Sequence, residues 1–443
     1  MKIELSDHFS YGRLVRFTLP SIFMMIFTSI YGMVDGYFVS NFVGKTAFAS
    51  VNLIIPYLMI IGGVGAMLGV GGGALVAKTL GEGETERARR YFTMMLRLML
   101  GTSIFFTIVG LFALRPVALL FGATENMMVD CMTYGTICLL FVTALQAQYT
   151  FQSYLIVAAK PRFALTVVIL AGCTNMVLDY LFMAVFRMGV AGAALATGLS
   201  QCVGGLVPFF WFLSKRNTSA LRFTKTKLEW KPMLLACGNG ASEMMTSVSA
   251  SVTGILYNLQ LMRYAGEDGV AAYGVIMYAS FVFIGVYMGY SSGASPIMGY
   301  HYGAGNHSEM KNVLKKSMTL LGLAAVVMTA AALVLAKPIA SIFVGYDAAL
   351  LTMTTHAFTI CALPFLVMWF NIYASSFFTA LNDGAVSAAI SFLRSLVLPV
   401  ICILTLPLIW ELDGVWYALA GSEILSVFIS MAFMLKNRKK YGY

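Results

Sequence analysis

The chain has 443 residues, of which 59% are hydrophobic and only 11% are charged, and its formal net charge is +10. A soluble domain carries about 25% charged residues, so this composition excludes an ordinary soluble protein. Apolar runs long enough for membrane-crossing helices recur along the whole chain. The positive charge does not indicate nucleic-acid binding, because the basic residues lie in short loops between the apolar runs.

Twelve apolar spans are predicted from the N-terminus onward. An even number places both termini on the same side of the membrane. The loops on that side hold 22 of the 29 basic residues and the opposite loops hold five, so both termini are predicted to be cytoplasmic. We expect an all-α polytopic protein of the cell membrane, with spans near residues 14–40, 47–77, 91–114, 128–158, 162–185, 190–213, 232–261, 270–299, 313–336, 351–381, 385–409 and 412–435.

A polar cytoplasmic linker, residues 214–231, divides the chain into two predicted six-helix lobes, 1–213 and 232–443. The lobes resemble each other at an offset of about 220 residues, since LGEG at 80–83 matches YGAG at 302–305. Because each lobe has an even number of spans, the two copies lie parallel, and such repeats usually flank a substrate site. The sequence therefore predicts two pseudo-symmetric lobes around a central cavity.

Two aspartates lie inside apolar runs, where a carboxylate is costly and is by default a functional residue. Asp35, Asp179 and Thr197 all fall about 25–29 Å from the predicted cytoplasmic ends of their spans. Asn175 precedes Asp179 by one helical turn and Ala193 precedes Thr197 likewise, so each pair shares a helix face. These oxygen ligands suit a hard cation, or two acids that share a proton. For either aspartate alone, a hydrogen-bonding bridge between helices is the alternative.

A second group of ionisable residues is predicted near the membrane midplane. Glu243, Arg394 and Glu423 each lie about 16–20 Å from the cytoplasmic ends of their spans. Spans 11 and 12 are antiparallel neighbours, so we expect Arg394 and Glu423 to form a structural ion pair. Glu243, Tyr31 and Asn258 are candidates for the wall of the substrate cavity, and a purely structural role is the alternative for Glu243.

Catalysis is not indicated by any motif. The sequence contains no His cluster, no nucleophile motif and no sizeable extramembrane domain, so we expect no enzyme and no cofactor apart from a coupling ion. The seven cysteines lie in or beside apolar runs without a C-x-x-C pair, which is typical of small core residues. No metal site is expected other than one for Na⁺ at Asp35, Asn175, Asp179 and Thr197.

Four segments of the first half carry a recognisable pattern: Pro20 with 31–39, then 49–56, 175–179 and 192–197. They resemble signatures of the multidrug and toxic compound extrusion (MATE) family, in its bacterial drug-exporter branch, and the resemblance extends over residues 13–436. It implies a proton or sodium site in the N-terminal lobe, formed by Asp35, Asn175, Asp179, Thr197 and the carbonyl of Ala193.

The second lobe departs from the pattern of other branches of this family. Those branches carry an acid eight residues after a proline in span 7 and another acid in span 10. Here Gly240 stands at the proline position, Val248 stands where the acid is expected, and span 10 has no acid. We therefore expect the ion site in the first lobe alone.

The sequence thus predicts a cation-coupled (H⁺ or Na⁺) antiporter that exports amphipathic, often cationic, drug-like compounds by alternating access. The expected partners are these small molecules and the lipid bilayer, and the expected assembly is a monomer. A flippase for lipid-linked saccharides is the alternative, but it would prefer a basic cavity, and Arg394 is the only basic residue predicted near the midplane. A membrane enzyme or receptor, and a carrier of the major facilitator type, are further alternatives with less support in the sequence.

Overall fold

The computed structural model of the protein describes residues 3–345 and 347–443, so Met1, Lys2 and Tyr346 of the predicted lobes lie outside the described residues. Within these ranges every regular element is a helix, and no strand occurs. This confirms the predicted all-α fold.

The first half of the chain forms seven helices. The first begins where the Ser10 hydroxyl accepts a hydrogen bond from the amide of Arg13, which satisfies a free donor of the first turn. The sixth begins at a proline, which lacks the amide that a helix start leaves unpaired. The bounds are α1 (Tyr11–Phe38), α2 (Lys45–Gly81), α3 (Thr85–Leu120), α4 (Glu125–Leu140), α5 (Val142–Val157), α6 (Pro161–Asp179) and α7 (Gly189–Leu213).

The second half forms seven more helices, after a stretch from residue 214 to 229 that carries no helix. This stretch coincides with the predicted linker except for its last two residues. Side chains of Asn306 and Asp383 cap the helices that follow them. The bounds are α8 (Trp230–Gly303), α9 (His307–Val344), α10 (Ala348–Ala362), α11 (Phe365–Ala380), α12 (Gly384–Phe392), α13 (Leu398–Thr405) and α14 (Pro407–Tyr441).

Nine helices of the described chain are long and apolar enough to cross a membrane, or eleven if each of two bent pairs forms one span. The predicted number of twelve is therefore not confirmed. Helix α8 has 74 residues, and Gly266 within it has the non-helical angles φ 61° and ψ −148°. A straight helix of that length would measure about 110 Å, far more than a bilayer core of about 30 Å. Predicted spans 7 and 8 accordingly lie on the two sides of Gly266.

Predicted spans 4 and 10 are each broken in the middle. The axis bends by 53° between α4 and α5 and by 48° between α10 and α11. The first break falls at Phe141 and the second at Leu363, which stand 222 positions apart. The two halves therefore share this irregularity at matching positions, which an apolar pattern alone did not predict.

The two halves meet through main-chain contacts at the ends of α2 and α8. A Cβ atom added to Gly81 would stand 1.9 Å from the Tyr300 carbonyl oxygen, and one added to Gly303 would stand 2.0 Å from the Lys78 oxygen. Gly303 and Tyr300 lie 222 positions after Gly81 and Lys78, so each half contributes the same two positions to the contact. Only glycine permits so close an approach of two backbones.

A second pair of glycines repeats this contact two to three turns further along α2. Added Cβ atoms at Gly71 and Gly240 would each stand 2.0 Å from a carbonyl oxygen, that of Ala236 and that of Met67 respectively. We call Gly71, Gly81, Gly240 and Gly303 the glycine seam. Both described ends of the chain lie near it, since the Phe9 ring packs on His301 and the Tyr441 ring packs on Tyr302.

Candidate functional site

The predicted ion-site residues lie on α1, α6 and α7; α6 packs against both other helices, and α7 also contacts the π segment that follows α1. Asp35 lies on α1, Asn175 and Asp179 lie on α6, and Thr197 lies on α7. The carboxyl groups of Asp35 and Asp179 lie near enough to interact electrostatically. The structure therefore brings together two acids that are far apart in sequence.

Both acid-bearing helices change to a wider π-helical winding just after the acid. In α1 the π segment Val39–Val43 follows Asp35 by one turn, and the amide of Val39 contacts the carbonyls of both Asp35 and Gly36. In α6 the π segment Tyr180–Val185 begins at the residue after Asp179. Such π segments are rare and occur mostly at functional sites.

The polar oxygens of this site are buried without hydrogen-bond partners. Asp179 is 0% exposed and Asn175 is 2% exposed. Within the described chain, five buried oxygens here have no partner: Asp35 Oδ1, Asn175 Oδ1, both carboxylate oxygens of Asp179, and Thr197 Oγ1. Four of the five belong to carboxyl or amide carbonyl groups, which accept hydrogen bonds and do not donate them when the acids are ionised. Buried acceptors of this kind are costly unless paired, so the arrangement suits a proton or another group with a positive charge.

Tyr134 and Cys138 also belong to this site, although they were not among the predicted residues. Tyr134 lies on α4, is 4% exposed, and lies near both Thr197 and Asp35. Cys138 lies one turn further along α4 and interacts with Tyr134 and Asp35. The signal available in the sequence was weak: a tyrosine and a cysteine four residues apart within an apolar span.

Ala193 is 0% exposed and lies on α7, one turn before Thr197. Helix α7 is regular through this turn, so no break in the helix frees the Ala193 carbonyl. The carbonyl of Thr197 instead accepts a hydrogen bond from the Ser200 hydroxyl at 2.8 Å. A ligand role for the Ala193 carbonyl stays a prediction.

The three candidates for the cavity wall occupy different environments. Tyr31 lies one turn before Asp35 on α1 and interacts with it. Glu243 shares a helix face with Ser247, whose hydroxyl donates to the Glu243 carbonyl at 3.1 Å, and Ser247 Oγ would stand 3.5 Å from a Cβ at Gly63 of α2. Glu243 therefore lies at the junction of the two halves. Asn258, which like Glu243 lies in the part of α8 before Gly266, is exposed.

Arg394 and Glu423 form a buried ion pair in the second half. Arg394 Nη2 lies 2.9 Å from Glu423 Oε1, and the two side chains are 17% and 7% exposed. Arg394 Nε donates to both carboxylate oxygens, at 2.9 and 3.1 Å. The only basic residue predicted near the midplane is thus engaged by an acid, which leaves it poorly suited to hold the pyrophosphate of a lipid-linked saccharide.

No group of three or more His, Cys, Asp or Glu side chains that could hold a metal ion occurs among the described residues. Asp35, Asn175, Asp179 and Thr197 offer oxygen atoms from two acids, an amide and a hydroxyl. Such a donor set fits a proton or a small hard cation rather than a transition metal.

The sequence matches the MatE family over residues 20–181 and 244–404. The chain belongs to the MATE family. The match covers both halves and includes Asp35, Asn175, Asp179 and Arg394, while Thr197 and Glu423 lie outside the matched ranges. Members of this family are membrane transporters, in agreement with the apolar helices of this chain.

Relatives and solved structures of similar length support this membership. The chain is 21% identical to the Multidrug export protein MepA of Staphylococcus aureus strain NCTC 8325 over 432 residues, covering 96% of this chain and 94% of that protein. It is 22% identical to the protein of the same name from Staphylococcus saprophyticus over 439 residues, with the same coverage. A solved structure, the outward-facing conformation of a multidrug resistance MATE family transporter, has the same fold with a TM-score of 0.92, at 21% identity over 98% of this chain and 97% of that one.

Proposed function

We propose that this MATE protein is a cation-coupled antiporter that exports amphipathic, often cationic, drug-like compounds across the cell membrane. The coupling ion, H⁺ or Na⁺, binds at Asp35, Asn175, Asp179 and Thr197 in the first lobe. Both termini lie in the cytoplasm, the protein acts as a monomer, and the coupling ion is its only cofactor.

The unpartnered carboxylate of Asp179 is the observation that carries this proposal. Both of its oxygens are buried without a donor, and Asp35 contributes a second carboxyl group beside it. Two ionised carboxylates in contact inside a membrane protein repel each other and cannot both stay charged without a cation. A proton or Na⁺ taken up from one side of the membrane satisfies the site, and its release on the other side empties it.

Binding of the cation couples to the lobes through α1. This helix carries Asp35 and also lies along the part of α8 that follows Gly266, where the Ser29 hydroxyl donates to the Phe281 carbonyl at 3.5 Å. Neutralising Asp35 removes the repulsion between the carboxylates on α1 and α6, and α1 transmits that change to the other lobe. The export of multiple drugs by the Staphylococcus relatives named MepA supports the substrate class.

The available driving force is sufficient without ATP. One cation that enters down a potential of about 100 mV supplies roughly 2.3 kcal/mol. Because about 1.4 kcal/mol corresponds to a tenfold ratio, one cation sustains a gradient of roughly 50-fold for an uncharged substrate. Glu243, at the junction of the lobes, is an acid placed to attract cationic substrates.

The test is efflux of a fluorescent organic cation from proteoliposomes with an imposed pH gradient or an imposed Na⁺ gradient. The variants Asp35→Asn and Asp179→Asn keep the size of each side chain and remove its charge. We expect both to lose gradient-driven efflux, whereas Glu125→Gln, which changes an exposed acid in the same lobe, should retain it.

The efflux of the two site variants either supports or refutes the proposed ion site. Loss of efflux in both site variants with retention in Glu125→Gln supports the proposal, and the effective gradient identifies the ion. Undiminished gradient-driven efflux in Asp35→Asn and Asp179→Asn would refute it. Correct folding of the variants is checked by their thermal unfolding midpoint in detergent.

A further inference from the structure

The second lobe also contains a buried carboxylate, but its surroundings are the opposite of those of Asp179. Glu423 receives hydrogen bonds from Arg394 Nε at 2.9 and 3.1 Å and from Asn371 Nδ2 at 2.8 Å. Asn371 is itself fixed, because its Oδ1 accepts from the Ser430 hydroxyl at 2.8 Å. Both carboxylate oxygens of Glu423 are therefore fully satisfied by the protein.

The guanidinium that satisfies Glu423 is placed by local irregularity in the fold. Arg394 lies in the π segment Leu393–Val397, between α12 and α13. In the first lobe, the π segment Tyr180–Val185 forms the end of predicted span 5 and adjoins Asp179. Both lobes thus use this winding next to an ionisable side chain, an acid in one lobe and a base in the other.

The residue that corresponds to Asp35 in the second lobe is not an acid. Tyr257 stands 222 positions after Asp35 and is 4% exposed. It lies near enough to Glu423 to interact with it electrostatically. Its hydroxyl has no hydrogen-bond partner within the described chain. The second lobe therefore brings one carboxylate and one guanidinium together, whereas the first lobe brings two carboxylates together.

We propose that Arg394 acts as a built-in cation, which permanently fills the place that a mobile coupling ion would otherwise take beside Glu423. This inference rests on the proposed function of the first lobe and restricts cation coupling to that lobe. An arginine side chain stays protonated in proteins, so the pair does not change with the ion gradient. A tethered guanidinium also outcompetes dissolved Na⁺, because its effective concentration at Glu423 is far higher.

Removal of the Arg394 guanidinium should turn Glu423 into a binding site for a proton or Na⁺. Glu423 would then face Asn371 from α11, Tyr257 from α8 and the serines of its own helix, none of which carries a positive charge. An unpaired buried carboxylate is strongly unfavourable, so it would take up a proton or Na⁺ from solution. The folded state of the variant without the guanidinium would therefore lose stability as the pH rises and regain stability when Na⁺ is added.

The experiment uses the full-length protein in detergent, with the first-lobe site silenced by Asp35→Asn and Asp179→Asn. The thermal unfolding midpoint is measured between pH 5 and 9, with NaCl against choline chloride. Adding Arg394→Met should create a dependence of the midpoint on pH or Na⁺ that the silenced background lacks. Arg394→Lys, which keeps a cation, and Arg394→Met with Glu423→Gln, which removes both charges, should not create it.

A second measurement does not depend on the stability of the charged variant. In an otherwise native chain, the neutral pair Arg394→Met with Glu423→Gln should keep the full cation dependence of efflux. The proposal is overturned if this neutral pair loses cation dependence, or if Arg394→Met responds to pH and Na⁺ no more than its silenced background. A silenced background that still responds to cations as the native chain does would instead contradict the proposed first-lobe site.

Discussion

The main-chain amide of Phe9 donates a hydrogen bond to the carboxylate of Glu309 at 2.8 Å, and this bond ties the N-terminal segment to the second half of the chain. The same carboxylate lies 2.7 Å from His8 Nδ1 and accepts from Asn312 at 2.7 Å. Lys316 adds a hydrogen bond to the Phe9 carbonyl at 2.7 Å. The segment before α1 therefore bridges to the helix that follows the glycine seam.

Replacing Glu309 with alanine should loosen this bridge. The change removes the acceptor of a buried amide and of two side chains, and we expect it to cost about 2–3 kcal/mol locally. The measurement is the rate of tryptic cleavage at Arg13, together with the thermal unfolding midpoint. Glu86→Ala is the control, because that side chain is 68% exposed and its ion pair with Arg89 contributes little. Equal protease resistance in Glu309→Ala and the native chain would show that the bridge is unimportant.

Tyr134→Phe should weaken cation binding without abolishing transport. The substitution removes a hydroxyl that lies near Thr197 and Asp35, and it leaves the ring in place. One hydrogen bond donated to the ion site contributes about 1 kcal/mol, so the half-saturating cation concentration should rise by about fivefold. The measurement is efflux rate against cation concentration, with the maximal rate as an internal reference.

The matched control for this prediction is Tyr180→Phe, because Tyr180 directly follows Asp179 but is 54% exposed. It should leave the half-saturating concentration unchanged. If both tyrosine variants behave alike, the hydroxyl of Tyr134 does not take part in the site.

Gly240→Ala should separate the two lobes at the seam. Its Cβ atom would stand 2.0 Å from the Met67 carbonyl oxygen, so the backbones must move apart. Overpacking of this kind typically costs about 1–3 kcal/mol. The measurement is the unfolding midpoint and the accessibility to a thiol reagent of a cysteine introduced at Ala236, which lies beside Gly71.

Gly238→Ala supplies a control on the same helix, since a Cβ there meets nothing within 4 Å. In this control the usual gain from replacing a helical glycine by alanine, about 1 kcal/mol, should appear as a higher midpoint. A higher midpoint in Gly240→Ala as well would contradict the close contact.

Asp383 should hold the C-terminal residues in place across neutral pH. Burial raises the pKa of its carboxyl, but hydrogen bonds from Tyr441, Lys440 and the Val386 amide outweigh burial and leave the pKa below its ordinary value of 3.8. A lowered pKa in the folded state stabilises the fold above the ordinary pKa, and this contribution is lost as the pH falls through the lowered value. We therefore expect no change in C-terminal anchoring between pH 5 and 8.

Asp383→Asn should release the C-terminal residues at any pH in this range. The contact of Lys440 Nζ with Asp383 Oδ2 at 3.1 Å and the bond from Tyr441 would both weaken. Faster tryptic cleavage at Lys436 or Arg438 is the expected result. Asp268→Asn, at an exposed site, is the control and should cleave at the native rate. A native cleavage rate in Asp383→Asn would mean that ring packing of Tyr441 alone fixes this end.

The positions of the helices could be predicted largely from the sequence, because membrane-crossing segments need long apolar runs and polar loops interrupt them. The acids of the first lobe stood out for the same reason, since Asp35 and Asp179 interrupt apolar runs. Helical rise placed both at one depth, and in the structure their carboxyl groups lie near enough to interact electrostatically.

Features that arise between helices could not be predicted in this way. Tyr134 reaches Thr197 from another helix, and no spacing in the sequence connects the two positions. The π windings after Asp35 and Asp179 and the bend at Phe141 have no proline or glycine within them that would mark them in the sequence. The Phe9–Glu309 bond joins segments 300 positions apart and leaves no periodic signal.

The glycine seam also fixes how the two lobes sit against each other along their length. Leu80 and Glu82 flank Gly81, and Tyr302 and Ala304 flank Gly303. A slip of one residue along α2 or α8 would therefore set a side chain against a carbonyl where only a hydrogen now fits. The seam therefore allows only one register between α2 and α8. Lobes that separate at this end can return to a single closed arrangement.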